Sequence, residues 1–153
     1  MSAYVIVKWV HVLMAITALG ANITYGVWFS RAAQEPQHLA FALRGIRILD
    51  NRIANPAYGL LLLTGLAMAG MGQIPFSTPW LLTGLILYVI LVVIAAAGYT
   101  PTLRRQIQAL EAGGPNSPEY QQLSGRGTRI GITLTVIGVI IVFTMVTKPA
   151  LWS

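Results

Sequence analysis

The stretch VKWVHVLMAITALGANITYG, residues 7–26, decides the fold. Its neighbours on both sides are apolar, and about 20 such residues suffice to cross a bilayer as a helix. The first span therefore runs over about residues 4–29. Three polar groups interrupt it: Lys8, His11 and Asn22. At ~100° per residue, His11, Ala15, Ala18, Asn22 and Tyr25 fall on one narrow stripe. Small residues on that stripe admit a neighbouring helix, and polar groups facing lipid are costly, so the stripe faces the interior of a bundle. His11 and Asn22 are separated by ~16 Å along the axis at 1.5 Å per residue, which assigns them different depths and different tasks.

Composition agrees. Of 153 residues, 56% are hydrophobic and only 9% charged, against roughly a quarter charged in soluble domains. Three further apolar runs cover about 56–72, 80–100 and 130–147. The expected fold is all-α: one integral membrane four-helix bundle, 1–153, with amphipathic segments in its loops. Cysteine is absent, which excludes disulfides, thiolate metal sites and cysteine nucleophiles. The first span lacks a basic n-region and is too long for a signal h-region, so it is expected to remain as a helix. Asn55-Pro56 and Thr78-Pro79 read as helix starts, a capping side chain followed by proline at the first helical position. The third span is expected to run past Thr100-Pro101 to Gly113-Gly114-Pro115, with Leu103, Ile107 and Leu110 on one face.

The net charge of +6 comes from arginines between the apolar runs, which points to membrane topology and away from nucleic acid. Arg31, Arg44, Arg47 and Arg52 follow the first span; Arg104, Arg105, Arg126 and Arg129 lie between the third and fourth. The linker QIPFSTP, residues 73–79, has no charge. The positive-inside rule then makes both long loops cytoplasmic and both termini external. Tyr4, Trp9, Phe76, Trp80 and Trp152 on the outer side, with Trp28 and Tyr99 inside, form aromatic belts. In the first loop Leu39, Leu43, Ile46, Leu49 and Ile53 recur at helical spacing. That segment either lies in the headgroup layer against anionic lipid or folds back on the bundle. The chain reads as two hairpins in tandem.

Two readings of His11 stand side by side. Neutral imidazole ligates haem iron or copper; alternatively it bonds a facing threonine or carbonyl. Lys8 snorkels to the outer surface, and His38 is solvated. Asn22 makes an interhelical hydrogen bond or satisfies backbone at a kink. Met14, Met68, Met71 and Met145 fall near His11 in depth. With it they would hold copper(I) or give haem a histidine/methionine pair, or else they fill apolar space. No nucleophile elbow or phosphate loop occurs. All four acidic residues, Glu35, Asp50, Glu111 and Glu119, fall in the cytosolic segments, which argues against proton-coupled transport through a buried carboxylate.

VKWVHVL (7–13), TPWLLTGLILY (78–88), YTPTLRRQIQAL (99–110) and FTMVTKPALW (143–152) together resemble an uncharacterised bacterial family of small predicted integral membrane proteins. That resemblance covers nearly the whole chain and implies four helices in the bacterial inner membrane. More distantly, the layout is similar to membrane protoporphyrinogen oxidases and to the copper-resistance membrane domain family. In those oxidases a first-helix histidine ligates haem b, and His11 matches it within KWVH. Their third-helix lysine and histidines have no counterpart in residues 80–100. The likeness therefore implies haem b on His11, alone or with a methionine. The rival expectations are an accessory subunit packed against partner membrane proteins or its own copies, and copper handling.

Overall fold

A computed structural model describes residues 2–151; Trp152, assigned above to the outer aromatic belt, lies outside them. Six α-helices stack into four long rods. Helix α1 is Ala3–Gln34. After a 3-10 turn at Pro36–His38, α2 (Leu39–Leu49) and α3 (Asn55–Met71) form one continuous rod, joined by a π-helical turn at Asp50–Ala54. Likewise α4 (Pro79–Ile94) and α5 (Thr100–Gly113) are joined by a π turn at Ala95–Tyr99, and α6 is Pro118–Thr147. All four rods are long and apolar enough to cross a bilayer.

Each rod outruns the membrane. The 32 residues of α1 extend ~48 Å at 1.5 Å per residue, against a hydrocarbon core of ~30 Å. The excess projects at one end, where all eight arginines lie. At that end α1, α2, α5 and α6 close into a ring. Its core is Leu39, Leu43, Ile46, Leu103, Ile107 and Leu110, joined by Ala32, Tyr120 and Leu123. Leu43 and Ile46 are each 1% exposed, and burying such a side chain from water contributes about 1.5–3 kcal/mol. Leu39, Leu43 and Ile46 of α2 are covered by α5, as the folded-back alternative for the first loop expects, while Phe41 and Ile48 of the same helix stay exposed and Arg44 pairs with Glu111 on the exterior at 3.1 Å.

The membrane half is built differently. Lipid tails are as apolar as leucine, so close packing of small residues has to hold the helices together. Helix α1 lies between α3 and α6, and α6 between α1 and α4. The α3 and α4 backbones stay more than 8 Å apart, Cα to Cα, along their lengths. Only side chains cross the gap, as where the Tyr88 hydroxyl donates to the Tyr58 carbonyl at 2.7 Å. Outward stand large apolar groups such as Ile16, Leu63, Val93 and Phe143, all more than half exposed and suited to lipid.

Three sequence expectations need correction. Asn55-Pro56 does not start a helix: Pro56 lies inside the continuous rod, and the Asn55 amide donates to Asp50 Oδ2 at 3.4 Å. Proline lacks an N–H and its ring clashes with the carbonyl four residues earlier, so it normally breaks a helix. A π turn immediately before Pro56, and another before Pro101, changes that register and carries the rod through. The fourth helix begins at Pro118, twelve residues before the expected 130, because Tyr120 and Leu123 pack into the extramembrane core. Ser117 caps it, accepting from the Tyr120 N–H at 3.3 Å; Thr78 precedes Pro79 without a side-chain cap. Asp50 is the third. The expectation that the chain holds no buried carboxylate fails there: Asp50 is 7% exposed at the start of the π turn, because it continues the buried face of Leu43 and Ile46.

Candidate functional site

His11 occupies the seam between α1 and α3. Its Nδ1 lies 2.9 Å from Thr64 Oγ1, and the Thr64 hydroxyl reaches the Leu60 carbonyl at 2.6 Å. The hydroxyl has one proton and three neighbours able to take it, the Leu60 and Leu61 carbonyls and, in one tautomer of the ring, His11 Nδ1. Gly65 makes the approach possible: a Cβ there would stand 3.0 Å from His11 Cε1. The alternative in which His11 bonds a facing threonine is the observed contact. It also leaves one ring nitrogen available.

The methionines are dispersed. Met145 fills the α4–α6 seam, where a Cβ on Gly84 would overlap its methyl group. Met14 is half-buried on α1, and Met68 is half-buried one turn toward the lysine end from Thr64. Met71 is 47% exposed. No described contact brings any of them to the imidazole, and no cluster of three histidine, aspartate or glutamate side chains occurs among the described residues. Lys8 is exposed at the rod's end, as snorkelling requires. At that end Lys148 also lies 5.1 Å from the centroid of the Trp80 ring, a cation–π contact.

Asn22 bonds across the α1–α3 seam, its Nδ2 donating to the Tyr58 hydroxyl. The interhelical reading of Asn22 holds. Below it, toward the arginine end, lies a cluster that the sequence did not single out. Tyr25, Tyr58 and Tyr99 all stand close enough to Asp50 to feel its charge. Tyr25 was placed on the interior stripe; what was missing was a reason to bury an aspartate in the segment LDNRIAN. Helical spacing supplies it: Asp50 follows Ile46 by four residues and Leu43 by seven, and so continues the buried face of α2 into the π turn.

A groove of about 570 Å³ opens between α1 and α6 at this level, floored by Tyr99, Leu103 and Gln106. Two polar atoms are buried at its wall, the Tyr25 hydroxyl without a hydrogen-bond partner and Gln106 Nε2 without a well-formed one. None of His11, Met14, Met68, Met71 or Met145 lines it.

Four apolar rods, lipid-facing aliphatic surfaces and an interior threaded with isolated polar bonds define a multi-pass integral membrane bundle. Residues 5–149 match the model of the family described as predicted integral membrane protein DUF2269, and the chain belongs to that family. No curated protein and no solved structure matches it.

Proposed function

We propose that this protein is a haem-binding, redox-associated membrane protein with His11 as its iron ligand. The observation that supports the reading is the contact between His11 Nδ1 and Thr64 Oγ1. A metal-ligating histidine donates its other ring N–H to an oxygen, which orients the ring and raises its basicity, a part for which Thr64 Oγ1 is placed. Among the residues at this depth, His11 would hold the iron. His38 is at the arginine end, so a second ligand would be a thioether, with Met14 and Met68 on the same helix pair as His11. Bound haem supplies one-electron redox chemistry. The chain's own part is to orient Nε2, to exclude water from it, and to leave α3 and α4 apart for entry from the bilayer.

By the positive-inside rule the arginine end is cytoplasmic and both termini are outside, in a bacterial inner membrane. The exposed arginines around that end then stand where anionic headgroups lie.

The deciding experiment is an absorption spectrum of detergent-purified protein expressed with ample haem, oxidised and then dithionite-reduced. A Soret band with reduced α and β bands, lost in His11→Ala, is expected. A featureless spectrum would overturn the reading. The wide spacing of the α3 and α4 backbones, bridged only by side chains, favours a second one, an accessory subunit that packs there against a partner's helix or another copy. Migration as a lone small species on native gels would count against it. Copper handling rests on thioethers that lie in different seams, and metal analysis of the purified protein checks it.

A further inference from the structure

We infer that the groove between α1 and α6 binds a neutral, carbonyl-bearing amphiphile of the membrane, an isoprenoid quinone. Its volume of about 570 Å³ is in the range of small-molecule sites, ~300–1,000 Å³. The walls change character along the groove: Ile23, Ile132 and Val136 lie toward the bilayer interior, Ser30, Gln106 and Ser124 toward the arginine end. That is the profile of a molecule with an apolar tail and a polar head.

The head is specified by two atoms. Tyr25 is 5% exposed and Gln106 1%; the Tyr25 hydroxyl has no hydrogen-bond partner, and Gln106 Nε2 has no well-formed one, only the Tyr120 hydroxyl lying beside it. Buried polar groups in folded proteins are nearly always paired, and an unpaired donor destabilises the fold. Both can donate to an oxygen acceptor. No charged residue lines the groove, although arginines are plentiful nearby, so a phosphate or carboxylate head would find no counter-charge. A ring carbonyl meets both donors without one. Phe29 and Tyr99 line the groove and add aromatic surface to it. Seating the head requires the wall rotamers over the two atoms to open. The ester carbonyl of a phospholipid shares the acceptor chemistry but brings a phosphate with it.

The test uses the full chain in phosphatidylcholine nanodiscs, titrated with a ubiquinone carrying two isoprene units, with occupancy read by native mass spectrometry. One quinone per chain is expected. Tyr25→Phe and Gln106→Leu should each weaken binding about fivefold or more, the worth of one hydrogen bond. Gly26 lines the groove and a Cβ there meets nothing within 4 Å, so Gly26→Leu enters open space and should abolish binding. Gly59 on α3 is equally open and outside the groove, and Gly59→Leu should leave binding unchanged. Absence of an adduct, or an adduct indifferent to all three groove variants, would overturn the inference. So would a retained phosphatidylcholine that quinone fails to displace, which would assign the groove to the lipid ester.

Discussion

His11 Nδ1 and Thr64 Oγ1 tie α1 to α3 at 2.9 Å, and the same threonine hydroxyl reaches the Leu60 carbonyl at 2.6 Å. Removing the hydroxyl while keeping the shape tests more than stability. In Thr64→Val the ring loses its orienting partner, and haem affinity should fall by roughly 10–100-fold, the usual effect of losing such a partner. His11→Ala should abolish binding. Titration of apo-protein with haemin, followed at the Soret band, measures both. Equal affinity in Thr64→Val and the parent would show that the bond only packs the helices.

Gly84 and Met145 make a contact of a different kind, since any side chain at 84 meets the Met145 methyl. Gly84→Ala requires only the flexible end of Met145 to move aside and should cost less than about 1 kcal/mol. Thermal unfolding in detergent checks it. A loss of about 1–3 kcal/mol, the usual cost of overpacking, would mean that the Met145 methyl has no room to move.

The arginine end should respond to core changes and ignore surface ones. Leu43→Ala and Ile46→Ala remove side chains that are 1% exposed, and each should cost about 2–5 kcal/mol. Glu111→Gln breaks the pair with Arg44, but both side chains are more than half exposed, so the cost should stay below about 1 kcal/mol. Denaturation of the purified protein compares the three. A loss in Glu111→Gln matching Leu43→Ala would contradict the placement of the core.

Topology can be read cleanly because the chain has no cysteine of its own. A membrane-impermeant maleimide added to intact cells should label Gln73→Cys, in the linker between α3 and α4, and spare Glu111→Cys at the arginine end. The reverse pattern would invert the proposed orientation.

Much of this architecture is legible in the sequence, for identifiable reasons. Apolar runs reveal spans because lipid demands them, and Leu103, Ile107 and Leu110 announced the extension of the third rod through their spacing. The same face carries Gln106, three residues after Leu103. Its burial was readable from that position, but its lack of a well-formed partner was not, since pairing depends on what α1 and α6 bring opposite. Asn55-Pro56 misled because proline after asparagine marks a helix start far more often than a π turn. Asp50 was missed with it. Two consecutive asparagine-bearing turns, D-N-R and A-N-P, look solvated until the rod is known to be continuous. Dispersal of the methionines was likewise beyond reach, because Met68 and Met145 share a depth but belong to different seams.

The closed ring at the arginine end draws on all four rods, and its last contributor, Tyr120 with Leu123, is near the start of the final helix. During synthesis the apolar face of α2 therefore stays without its main cover until α5 arrives with Leu103, Ile107 and Leu110. A chain halted before residue 100 would leave Leu43 and Ile46 bare, whereas one halted before residue 118 would lack only the last wall of the ring.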